Sequence, residues 1–182
     1  MVNSKSAYSV AGKKQRNDTH IIVVWVDNEA GVLARVVGLF SGRGYNIESL
    51  AVAEVDQKQN ISRITIVTTG TPQVIDQIKL QLKKLVPVHK VADFKREDKN
   101  VIFKEMALFK LVGNNNKRQK ALKACKKYNA VLLDKTNKSY VVQVTALRRE
   151  IDIMSKNLKK LGLVSVSRTG AVAMTRGAET FK

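Results

Sequence analysis

The sequence predicts an α+β fold, an α/β sandwich in which one six-element unit occurs twice. Three observations carry that expectation: β-branched runs of strand length, apolar stripes at helical period between them, and the same order of elements in both halves. The 182 residues suffice for one ordinary domain or two small ones.

The first copy opens with Ile21-Ile22-Val23-Val24-Trp25-Val26, a continuous β-branched run that suits a central strand covered on both faces. After a turn with Asn28 and Gly31, residues Val32, Leu33, Val36, Val37 and Phe40 recur at helical spacing and leave Arg35 and Arg43 outside. Gly42 and Gly44 stop that helix. Residues 47–54 and 61–69 predict two strands joined by a polar hairpin loop, 56–60. A helix then starts at Thr71, which can cap the free amides, with Pro72 at its first position and Ile75, Ile78, Leu82 and Leu85 as its stripe. Pro87 blocks continuation, and residues 88–94 close the unit as a strand.

The second copy repeats the order with weaker patterning. Strands are expected at 104–112, 130–134, 139–145 and 163–168. Between them lie a Lys-rich helix over 116–128, with Leu122 and Cys125 facing in, and a helix over 149–161 with Ile151, Met154, Leu158 and Leu161 as its stripe and Gly162 at its end. Strand–helix–strand–strand–helix–strand with right-handed crossovers folds into a four-stranded antiparallel sheet with two helices on one face, the ferredoxin-like arrangement. The expected organisation is therefore a disordered basic tail over 1–19, a first domain over 20–95, a charged linker, and a second α/β domain over 101–182.

The net charge of +18 is unevenly distributed. Residues 20–93 hold 8 Lys/Arg against 7 Asp/Glu, whereas residues 94–182 hold 21 against 7. That asymmetry raises a competing reading, a basic nucleic-acid-binding protein acting through the Lys-rich second domain. Against it, aromatic residues are only 5% of the chain and do not interleave with the lysines in the way that stacks bases. The lysines are also spaced as solvated helix faces. No apolar run approaches the roughly 20 residues of a membrane span, so a soluble chain is expected. A single cysteine, Cys125, excludes an internal disulfide and points to a reducing compartment, the cytoplasm. A short transit peptide is the competing reading of the tail, which lacks an apolar core segment and carries one arginine.

Catalytic patterns are missing. His20, His89 and Cys125 each stand alone in the sequence, without the clustering a metal site or a nucleophile–base pair requires. The segment between the first strand and first helix is different. Free amides at a helix start favour an anion such as an amino-acid carboxylate. Gly31 lets a ligand approach the backbone. Asn28 offers a donor and an acceptor together, suiting a zwitterion. Asn46 and Ile47 at the far end of the helix supply a second polar group and an apolar wall. The alternative has Asn28 capping the helix, Gly31 shaping the turn and Asn46 occupying a loop.

The uninterrupted run from Asn28-Glu29-Ala30-Gly31-Val32-Leu33 through Arg43-Gly44-Tyr45-Asn46-Ile47-Glu48-Ser49-Leu50 resembles the ACT domain of the acetolactate synthase small, regulatory subunits. The resemblance continues through Ser62-Arg63-Ile64-Thr65-Ile66-Val67, Glu105-Met106-Ala107-Leu108 and Arg168-Thr169-Gly170-Ala171-Val172-Ala173-Met174-Thr175-Arg176-Gly177. It implies a homodimer through the ACT domain that binds valine, or a related branched-chain amino acid, between the two copies. By that resemblance the effector contacts are Asn28, Gly31, Val32, Leu33, Asn46 and Ile47, with Asn46 of one subunit completing the site made by the other's Asn28–Gly31 loop. It also implies a non-catalytic subunit that activates a large catalytic subunit and makes it inhibitable by valine. Thiamine diphosphate, magnesium and FAD would belong to that partner. The stretch Asn114-Asn115-Asn116-Lys117-Arg118-Gln119-Lys120 departs from the family by being basic.

Overall fold

The computed structural model describes residues 16–96 and 98–178. Residues 1–15 of the expected tail lie outside these, while Asp18 and Thr19 already belong to the first strand, pairing with Gly70 and Thr69. Twelve elements follow: β1 (Asp18–Asp27), α1 (Val32–Ser41), β2 (Ser49–Asp56), β3 (Ile61–Gly70), α2 (Pro72–Leu82), β4 (Val88–Lys95), β5 (Val101–Val112), α3 (Asn115–Lys126), β6 (Val131–Lys135), β7 (Ser139–Ala146), α4 (Arg148–Lys159) and β8 (Leu163–Thr175). They form two four-stranded antiparallel sheets, ordered β2-β3-β1-β4 and β6-β7-β5-β8. The repeated α+β unit is thus present twice, with the ferredoxin-like strand order in each copy.

Alternation along β1 divides its side chains between two cores. Ile22, Val24 and Val26 meet Ile64 and Ile66 of β3 and the inner faces of α1 (Val32, Val36, Phe40) and α2 (Ile75, Ile78, Leu82). Ile21 and Val23 point to the other side, where Val67, Val101, Ala171 and Ala173 bury them. The continuous β-branched run therefore does mark a strand covered twice. Its second cover comes from the other half of the chain.

That cover is a two-stranded ribbon, and it is the main departure from the sequence expectation. β5 begins at Val101 and β8 runs on to Thr175, and the added lengths pair with each other from Val101↔Thr175 to Glu105↔Ala171. The ribbon projects from the second sheet and lies across the outer face of the first. Arg63 Nη2 donates to the Ala173 carbonyl across this contact, and the Ala171 amide donates to Ser49 Oγ at 3.2 Å.

The helix start at Thr71 is as the sequence reads: Oγ1 accepts from the Val74 amide at 3.4 Å, and Pro72 is the first helical residue. Asn114 does the same for α3, its Oδ1 accepting from the Lys117 amide at 2.9 Å. The second core packs Phe109, Leu111, Tyr140, Val142 and Val144 against Cys125 of α3 and Ile151, Met154 and Leu158 of α4.

Candidate functional site

The loop between β1 and α1 is held open at the end of the first sheet. Gly31 sits at the helix start with φ +84°, a left-handed conformation that glycine adopts without strain. A Cβ built there would meet nothing within 4 Å, so within one chain the backbone angle, rather than crowding, favours glycine. Asn28 does not cap α1, which has no side-chain cap. Instead its backbone amide donates to the Asn60 carbonyl at 2.7 Å, and its Oδ1 accepts from Ser62 Oγ at 3.0 Å. These bonds anchor the loop to the β2–β3 hairpin and leave the Asn28 Nδ2 donor without a partner among the described residues. The amides of Leu33 and Ala34 likewise find no acceptor there. The two open amides at the helix start can receive a carboxylate, and the Asn28 donor lies in the loop that leads to them.

The other expected contacts fall into two groups. Leu33, 42% exposed, lies beside the open amides, whereas Val32 is buried in the first core, so only its backbone can reach a ligand. Asn46 is exposed; its carbonyl accepts from Thr68 Oγ1 at 2.7 Å, and this bond keeps the segment before β2 in a loop, so the strand starts two residues later than its periodicity placed it. Ile47 is half-buried against the first core. Asn28 and Asn46 flank opposite ends of α1, whose ten residues span about 15 Å. One chain therefore does not bring them together.

β2 connects the two ends. It is an edge strand of eight residues, starting just after Asn46 and ending at the hairpin that holds Asn28. Its Val52 and Val55 side chains are exposed, and its outer backbone edge is open to a further strand.

Elsewhere the two histidines that stand alone in the sequence are each paired in space. His20 Nδ1 lies 2.7 Å from Asp93 Oδ1, and His89 Nε2 lies 2.6 Å from Asp27 Oδ1. No group of three or more potential metal ligands occurs among the described residues. Cys125 is fully buried with its Sγ 3.7 Å from Met154 Sδ, and burial pushes its thiol up to about 11. Its reaction with a disulfide reagent at pH 7 should therefore be at least about tenfold slower in the native chain than after denaturation, as followed by thiolate release. Equal rates would mean that this core opens freely.

In the second domain Lys117, Lys120, Lys123, Lys126, Lys127, Lys156, Lys159 and Lys160 are all exposed along α3, α4 and the residues just after each. Arg118, inside the same basic run, is buried: it donates to the Thr136 and Asn137 carbonyls, both at 2.8 Å, and lies over the Tyr140 ring. Composition gave no signal separating it from its neighbours. No helix among the described residues is long and apolar enough to cross a membrane.

Comparison with known proteins covers both halves. Residues 22–90 match a family described as the AHAS small subunit-like ACT domain, and residues 104–177 match the small subunit of acetolactate synthase. The acetolactate synthase small subunit of Mycobacterium bovis is 35% identical over 159 residues, spanning 87% of this chain and 93% of that one. That of Aquifex aeolicus is 39% identical over 158 residues, spanning 86% and 81%. The crystal structure of the Thermotoga maritima small subunit superposes with a TM-score of 0.79 at 29% identity, covering 88% of this chain and 99% of that one.

Proposed function

The chain belongs to the acetolactate synthase small-subunit family, and from that premise we propose that it is a regulatory subunit that binds valine between two copies of its first domain. Bound valine would make a catalytic large subunit, which the chain otherwise activates, subject to feedback inhibition in branched-chain amino-acid biosynthesis. The observation that supports the shared site is the position of the two asparagines relative to the open edge of β2. Antiparallel pairing of β2 with its symmetry mate sets the start of one strand beside the end of the other. Asn46 of one copy then approaches the Asn28–Gly31 loop of its partner.

Each group in that arrangement has a part to play. The open amides of Leu33 and Ala34 and the helix dipole receive the carboxylate. The side-chain oxygen of Asn46 accepts from the ammonium group, and the Leu33 and half-buried Ile47 side chains enclose the isopropyl group. Burying that group contributes about 1.5–3 kcal/mol. Each hydrogen bond to a charged end adds about 1.5–3 kcal/mol. The basic second domain offers a complementary surface to an acidic face of the large subunit.

Isothermal titration of the chain with L-valine, with leucine, isoleucine and lysine as comparators, tests this reading. Saturable valine binding at about one site per chain is expected, with lysine producing no heat. No heat from any branched-chain amino acid, with or without the large subunit, would overturn it.

A further inference from the structure

A cavity of about 280 Å³ lies between the outer face of the first sheet, the ribbon and the start of α4. Its floor is apolar: Ile21 and Val67 from the first sheet, Phe103 and Ala171 from the ribbon, and Leu147 at the head of α4. Its rim carries Arg96, Lys104, Arg148 and Arg149 against the carboxylates of Glu48 and Glu105.

The acids do not balance the bases. Buried Glu105 is already engaged by Arg168, whose Nε and Nη2 donate to its two oxygens at 2.6 and 2.8 Å. Glu48 accepts from Thr69 Oγ1 at 2.5 Å and stands 3.4 Å from Arg148 Nη1, a buried nitrogen that makes no hydrogen bond. Arg96, Lys104 and Arg149 have no carboxylate within 4.0 Å among the described residues. Arg148 and Arg149 are also the first two residues of α4, the end where the helix dipole disfavours cations. The acid in that first turn, Glu150, is occupied by the Leu147 amide at 2.9 Å. Three elements thus converge an excess of positive charge on a partly apolar pocket at the boundary between the halves.

We propose that this interdomain cavity binds a small carboxylate with a short apolar body and no ammonium group, seated between the first sheet and α4. The anion offsets the unpaired cations, and the apolar body covers Ile21, Val67 and Phe103. A zwitterion is disfavoured, because its ammonium would face the same excess of cations. The cavity lies at the opposite end of β1 from the Asn28–Gly31 loop, beside Thr19 and Ile21. Glu48 of its lining follows Asn46 by two residues, but none of the proposed valine contacts lines it, and the proposal does not rest on the valine assignment.

The test uses the full-length Asn28→Ala chain, in which the proposed valine site is weakened. It is titrated with isovalerate (the valine skeleton without its ammonium), with neutral isovaleramide, and with inorganic phosphate. Saturable isovalerate binding is expected, at least about tenfold tighter than isovaleramide or phosphate, and weakened at least about tenfold by adding Arg149→Gln. Arg149→Gln alone should leave the valine titration of the otherwise native chain unchanged, because Arg149 is exposed and is none of the residues assigned to the valine site. The absence of isovalerate binding overturns the proposal. So does equal binding of the amide, tighter binding of phosphate, or insensitivity to Arg149→Gln.

Discussion

Valine affinity is expected to fall by about 10- to 100-fold in both Asn28→Ala and Asn46→Ala, corresponding to the loss of one charge-assisted hydrogen bond. Neither change should unfold the chain. Asn46 is exposed and bonds to the fold through its carbonyl, and Asn28 loses only the side-chain bond from Ser62 Oγ at 3.0 Å. The decisive result comes from mixing the two variants after denaturation and refolding. If each site draws its loop from one chain and Asn46 from the other, a mixed dimer has one doubly damaged site and one intact site. Random pairing then restores about a quarter of the wild-type sites at wild-type affinity. If both asparagines serve the same chain's ligand, no mixture recovers any. Titration calorimetry of the mixture distinguishes the two outcomes.

Gly162→Ala should destabilise the second domain by roughly 2–5 kcal/mol, combining the left-handed backbone penalty with overpacking. Gly162 has φ +95°, and a Cβ there would stand 2.2 Å from the Val112 carbonyl oxygen. The obstacle is backbone, so no side-chain rotamer relieves it. The contact itself is fixed by the Val112 amide donating to the Gly162 carbonyl at 2.8 Å, at the closure between β5 and β8. Equilibrium urea unfolding measures the change, and a difference within about 0.5 kcal/mol would show that the α4–β8 turn is free to move.

The order of elements was legible because each depends on local signals: the β-branched run of β1, the stripe of α2 behind Thr71 and Pro72, and the glycines after α1 and α4. The first three residues of β5 and the far half of β8 were not. Their pairing slips between Glu105 and Ala107, where β8 carries one extra residue. β5 keeps its odd positions inward, but the β8 residues opposite them change from Val166 and Arg168 to Ala171 and Ala173, which breaks the alternation of β8. Small residues, Ala171 and Ala173, do the burying there, and their hydropathy is too low to mark a core strand. Arg118 was hidden for another reason. A cation folded back onto two carbonyls and one laid out in water have the same letter in the same run. In the β1–α1 loop, the residue types raised the expectation of a place for an anion. Only the coordinates show Asn28 tied to the hairpin instead of to the helix, and Asn46 a helix length away.

The ribbon lying across the first sheet makes the two halves interdependent. A fragment ending near residue 95 keeps every strand and helix of its own sheet, yet exposes Ile21, Val23 and Val67 to water together with the flanks of Trp25 and Phe94. Such a fragment should bind a hydrophobic dye and self-associate, whereas the whole chain melts in a single calorimetric transition. The repeat is thus visible in the sequence as two modules, but the shared cluster should make it one cooperative unit in unfolding, so that an effector stiffening the first sheet is expected to stiffen the surface presented by the second.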